Sequence, residues 1–185
     1  MEMIMTNTTI QQRLTLKELE EQHVRTITQA PLQMSGSWDF DVTAETLFPH
    51  ISDPNKMAGW FPLMKGGDLD HSATAQSGDW GEGSKRLCYT SGMGTLEETI
   101  HYWDAPHAYT YSAKNVMMPI RNHLGLLTVT PNDTDGATLI WRQYFDLTGI
   151  AVRHIFPTMM LGMMNQGMAT LIKDLGGRGG QIVRA

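Results

Sequence analysis

The sequence predicts an α+β fold: a curved antiparallel sheet of six to seven strands, two short helices after the first strand, and one long C-terminal helix across the concave face. Three observations predict it. The stretch "LQMSGSWDFDV" at 32–42 alternates apolar and polar residues as a half-buried strand does. From residue 63 onward, strand-like runs follow one another with only turn residues between them. Residues 157–175 then form the longest uninterrupted helical pattern in the chain. This order is not a β/α alternation, so a parallel sheet is not expected.

Taken in order, residues 1–14 are polar and aperiodic and read as a frayed end. "TLKELEEQH" offers Thr15 as N-cap with Glu18 three positions on, a capping box that predicts a helix over about 15–24. After the first strand, Thr43 caps "AETLFPHI", and Asp53 followed by Pro54 starts "PNKMAGWF". The meander consists of "SKRLCYTS", "TLEETIHYW", "AYTYSAKN", "NHLGLLTVT" and "ATLIWRQYFDL", punctuated by "SGMG", "DAPH" and "PNDTDG". Pro157 opens the terminal helix, and Gly176 and Gly177 close it. The organisation is an N-terminal extension, 1–30, carrying a short helix, and one domain, 31–185.

Composition excludes several classes of function. With 185 residues, 41% apolar and 18% charged, the chain can enclose both a core and a cavity. Net charge is −5 and there is no Lys/Arg run, so no nucleic-acid partner is expected. The one cysteine, Cys88, stands outside any CxxC pattern, which fits a reducing, cytoplasmic setting. No apolar run approaches the ~18 residues of a membrane span, and the N-terminus lacks the pattern of a signal peptide. The histidines show no HxH, HxxH or HExxH spacing, and GxGxxG, GxxxxGK[ST] and GxSxG are missing, so neither metal nor cofactor is expected.

Chemistry is concentrated in three places. On the terminal helix, Met160, Leu161, Met164, Met168, Leu171 and Leu175 fall on one stripe with Asn165 beside it. Methionine fills cores, but it also makes walls that adapt to varied apolar shapes, and an amide beside such a stripe needs partners. In "GTLEETIHYW", Leu96, Glu98, Ile100 and Tyr102 share one face, while Thr99, His101 and Trp103 share the other. A carboxylate on the inward face would be desolvated and could act as an acid, a base or a ligand-orienting group. In "RNHLGLLTV", the face of His123 competes with that of Leu124, and periodicity does not separate them. Tyr109 and Tyr111 share a face, as do Leu139, Trp141 and Phe145 with Gln143 between them; core packing explains these equally well.

"AETLFPHISDPNKMAGWFP", "GEGSKRLCY", "GTLEETIHYWDAPHAYTYS", "MPIRNHLGLLTVTP" and "GATLIWRQYF" together resemble the START-like, Bet v 1-like superfamily over residues 31–175. They are most similar to its bacterial polyketide cyclase/dehydrase-like branch and to the plant abscisic-acid receptors. The resemblance implies a helix-grip fold around a mostly apolar cavity for lipids, polyketides, hormones or aromatic metabolites. It implies that Glu98 is a pocket carboxylate, that His123 stands where a pocket tyrosine would, and that Asn165 is a pocket asparagine with Leu161 one turn before it. "SGMG" and "MMPIRN" resemble the two loops over the cavity mouth. The basic residue that pairs with an acidic ligand in the receptors has no clear counterpart, Lys65 being merely nearby.

The expected activity is binding of a small hydrophobic or aromatic molecule by Glu98, Ile100, Tyr111, His123, Trp141, Leu161, Met164, Asn165 and Met168. A cofactor-free cyclase, dehydratase or isomerase using Glu98 and His123 as acid–base groups is the alternative. A protein-interaction module is a third, and a homodimer is compatible with each.

Overall fold

The computed structural model describes residues 13–75, 78–149 and 152–185. The frayed end expected at 1–14 lies almost wholly outside them. α1 (Leu16–Leu19) begins as the capping box requires: Thr15 accepts from the Glu18 backbone N–H while the Glu18 carboxylate accepts from the Thr15 backbone N–H. It continues as a π-helical turn over Glu20–Val24. β1 (Leu32–Phe40) leads into α2 (Ala44–Ser52) and α3 (Pro54–Met57), the latter capped by Asp53 Oδ1 accepting from the Asn55 N–H at 2.8 Å.

The meander follows as β2 (Met64–Asp70), β3 (Lys85–Thr90), β4 (Gly94–Asp104), β5 (Ala108–Lys114), β6 (Ile120–Pro131) and β7 (Ala137–Leu147). α4 (Val152–Leu175) and two-residue strands β8 (Gly177–Arg178) and β9 (Val183–Arg184) end the chain. The strands run β2-β3-β4-β5-β6-β7-β1-β8 in one antiparallel sheet, with β9 also on β1. Seven long strands and a long terminal helix give the expected helix-grip arrangement. β2 does not read as a strand because Gly66 and Gly67 interrupt its alternation, and its pairing with β3 is irregular between Met64 and Gly67.

α4 begins five residues before Pro157, so that proline sits inside the first turns instead of opening them. A proline there removes only one early intrahelical bond. At the other end Gly176 takes φ +79°, and its N–H reaches the Ile172 carbonyl at 2.9 Å. The last residues then return along β1, with Gly177 opposite Phe40 and Val183 opposite Ser35.

The sheet is covered on both sides. The concave face packs with α2 and α4 in the main core, which holds Trp38, Phe40, Leu47, Trp141, Met164 and Met168. On the convex face Leu19 and Val24 of the N-terminal segment pack with Leu124, Leu126 and Tyr144. Glu20 bridges to Arg142 at 2.6 Å and accepts from the Tyr144 hydroxyl, and His23 stacks on Tyr102 with centroids 3.9 Å apart. Double coverage explains why the faces of "HLGLLTV" could not be separated by period: residues 124–129 are all buried.

One expected face is corrected. The β4–β5 register shifts between Ile100 and Tyr102, and this bulge turns Tyr102 to the convex side while Trp103 joins the main core. Trp103 there stacks on Trp80, centroids 4.9 Å apart.

Candidate ligand-binding site

The concave face is organised around a polar array at one level of the sheet. On β3 the burial runs against side-chain polarity: Arg86 is 1% exposed, whereas Leu87 is 40% exposed. The cause lies on the neighbouring strand. Arg86 is in register with Glu98, and Arg86 Nε lies 2.8 Å from Glu98 Oε2. That approach is a charge contact without the alignment of a hydrogen bond, since Nε is left with no hydrogen-bond partner of its own. Arg86 Nη1 donates to the Ser52 carbonyl at 2.6 Å, and the guanidinium stands over the rings of Tyr111 and Tyr109, 5.0 and 5.5 Å from their centroids. Cys88 Sγ donates to Glu98 Oε2 at 3.2 Å.

The array continues across β5, β6 and β7. Tyr111 stands opposite Gly125, which in turn stands opposite Gln143. A Cβ at position 125 would lie 2.2 Å from the Tyr111 ring, so only glycine lets that ring cross β6. Gln143 Nε2 then donates to the Tyr111 hydroxyl at 2.9 Å, and Gln143 Oε1 lies 2.6 Å from His123 Nε2. His123 Nδ1 accepts the Ala113 N–H at 3.0 Å, which fixes the proton on Nε2 and directs it to Gln143. His123 reaches this position because β6 bulges at Asn122, φ +53°, between Arg121 and Leu124.

Burial sets the protonation states. It holds the His123 imidazole below its ordinary value, so the ring is neutral. It pushes the Tyr109 hydroxyl up to about 12 and raises Tyr111 and Cys88 further, the nearby Glu98 charge adding to both. Burial alone would lower Arg86, but Glu98 together with Tyr109, Cys88 and Tyr111 outweighs it and keeps the guanidinium charged.

Around this level the interior has two ends. On one side Ile100, Leu127, Val129, Leu139, Met168 and Leu171 are buried. On the other, Leu96, Met118, Ile120, Leu147, Met160 and Leu161 pack on the core while only partly buried. The antiparallel register brings the start of β4, the end of β5, the start of β6 and the end of β7 to this second end. The Asn115 amide donates to the Met93 and Thr95 carbonyls, both at 2.8 Å, and joins the β5–β6 loop to the β3–β4 turn there.

The residues expected to form the site are thus distributed as follows. Glu98, Ile100, Tyr111, His123 and Trp141 come together on the sheet, and Met164 and Met168 are buried beneath α4 in the same core. The Trp141 indole Nε1 is buried without a hydrogen-bond partner. Leu161 lies at the half-buried end. Asn165 stands apart: its Oδ1 accepts the Ile182 N–H at 2.9 Å and its Nδ2 donates to the Ile182 carbonyl at 3.1 Å, so its amide clasps the C-terminal segment. Arg86 and Gln143 were missed as site residues. The signal for Arg86 was the inward Glu98, which demands a buried cation, and a cross-strand partner is the nearest source. Among the described residues no three His, Cys, Asp or Glu side chains group as metal ligands, and no helix is long and apolar enough to cross a membrane.

The family described as polyketide cyclase/dehydrase and lipid transport matches residues 31–176. No curated protein matches the chain. Among solved structures, the XoxI protein of Bacillus cereus is similar with a TM-score of 0.62 at 16% identity, over 77% of this chain and 95% of that one. A protein of Thermobifida fusca is similar with a TM-score of 0.60 at 21% identity, over 77% and 93%. An HSP90 activator of Plasmodium falciparum is similar with a TM-score of 0.56 at 12% identity, over 79% and 98%. At these identities the likeness concerns the fold alone.

Proposed function

We propose that this chain, which belongs to the polyketide cyclase/dehydrase and lipid transport family, binds a small hydrophobic or aromatic molecule between α4 and the concave face of the sheet. The observation that supports this reading is a hydrogen-bonded polar array set in an apolar concavity, with half-buried residues on one side of it and methionines along the facing helix. Few polar groups in an apolar surround is the general form of a small-molecule site. The ligand enters at the end lined by Met118, Ile120, Leu147 and Met160, where the unbranched Met118 and Met160 side chains can move aside at little cost. Desolvation supplies the affinity, about 25 cal/mol per Å² of apolar area removed from water, and His123, Tyr111 and Glu98 set the orientation.

The cyclase or dehydratase alternative requires Glu98 or His123 to accept a proton from the substrate. Glu98 is held by Arg86 and Cys88, and both ring nitrogens of His123 are engaged by protein groups. Such engagement favours an orienting role over proton transfer.

Native mass spectrometry of the purified chain, with titration of the uncharged probe N-phenylnaphthylamine, tests the reading. A retained small molecule or saturable binding is expected; neither would be seen if the concavity were only a core. Glu98→Gln and His123→Phe separate the two activities: a binding protein changes in affinity alone, whereas an enzyme loses turnover by ~10²-fold or more with affinity retained.

A further inference from the structure

A recess of about 810 Å³ lies where β5 and β6 part company, and Met118, Ile120 and His123 of the concave-face site also line it. Their pairing stops at Tyr111 and Gly125, and beyond it the bulge at Asn122 carries β6 away. The convex-side residues Glu97 and Lys114 and the β5–β6 loop form one wall, and Arg121 belongs to the other. The recess is roofed by Ile27 and Thr28, residues that precede the family match at 31–176. Thr28 fixes this roof by donating from its Oγ1 to the Asn122 carbonyl at 2.8 Å. Ile27 and Thr28 are thus this chain's addition to a recess whose other lining residues lie within the family match.

Its chemistry is amphipathic. Ile27, Val116, Met118 and Ile120 supply apolar surface, and Ile27 and Val116 are exposed, 44% and 103%. Lys114 and Arg121 are exposed cations that join none of the ion pairs among the described residues. Glu97 stands in register with Lys114 without pairing to it, so two cations face one carboxylate. The volume falls within the range of ordinary small-molecule sites.

We propose that this recess is a second ligand site, for a small amphipathic anion whose apolar body lies against Ile27, Met118 and Ile120 and whose carboxylate, sulfonate or phosphate lies between Lys114 and Arg121. It adjoins the concave-face site and shares Met118, Ile120 and His123 with it, so its test compares a charged probe with a neutral one. Anilinonaphthalene sulfonate is titrated by calorimetry into the full chain, alongside uncharged N-phenylnaphthylamine. Lys114→Gln/Arg121→Gln weakens sulfonate binding by about tenfold or more, since bonds to charged groups carry such energies, and leaves the neutral probe unchanged. These positions and Ile27 are exposed, so the variants keep the fold. Ile27→Glu weakens sulfonate binding, whereas Ile27→Lys preserves or tightens it. Sulfonate affinity within twofold of the parent in the double variant, equal loss of both probes, or equal effects of Glu and Lys at position 27 would overturn the proposal.

Discussion

Arg86 illustrates how a single side chain can be costly alone and quiet in company. Its guanidinium is buried beside Glu98, so removing either partner strands a charge away from water. Arg86→Met is expected to lower unfolding free energy by about 3 to 5 kcal/mol, and Arg86→Met combined with Glu98→Leu to recover most of that, as read by chemical denaturation. His123 carries the second prediction at this scale. Burial depresses its folded-state value below the ordinary 6.5, so the unfolded chain takes up the proton first as pH falls. Stability is expected to be full above that value, to decline as pH drops from about 6.5 through the depressed value, and then to level. His50 and His101 are also lowered by burial and add to the same slope. Thermal melts between neutral and mildly acid pH check this, and His123→Phe should flatten the slope even where it lowers the melting temperature. Glu98 was legible in the sequence because it shares a strand face with Leu96 and Ile100, whereas His123 followed only from the family resemblance, its strand period leaving the face open. Arg86 was not legible, because strand alternation favours Leu87 and Tyr89 as the inward pair; only the ionic requirement of the neighbouring strand reverses it.

Among the elements, those with local signals were read and those with tertiary causes were not. The Thr15–Glu18 box, the Asp53 cap and the Gly176 stop act within a few residues and can be seen in the chain itself. The bulges at residues 100–102 and 121–124 arise from pairing with distant strands and leave no mark on the period. They decide which of Tyr102 and Trp103, and of Asn122 and His123, faces the concavity. The role of Asn165 was hidden for the same reason, since its partner Ile182 arrives by way of a returning segment. Asn165→Ala is expected to cost about 1 to 2 kcal/mol by stripping two hydrogen bonds from Ile182, and to release residues 177–185 to limited proteolysis near Gly179 and Gly180.

For the whole molecule, the two-sided burial of the sheet means that the N-terminal segment belongs to the folded unit even though the family match begins after it. Deleting residues 1–30 would expose Leu124, Leu126 and Tyr144. The loss of Leu19 and Val24 alone is worth at most about 3 to 6 kcal/mol. A lower melting temperature and association in sedimentation velocity are the expected results. The margins of the sheet have a consequence of a different kind. On one side β8 and β9 lie along β1, and on the other the Asn55 amide occupies both the N–H and the carbonyl of Gly67, at 3.2 and 3.1 Å. A strand from another copy, or from a misfolded neighbour, finds the backbone of each outermost strand partly spoken for. Templated stacking into fibrils is thereby discouraged, and encounters with other macromolecules are steered to side-chain surfaces instead of main-chain ladders.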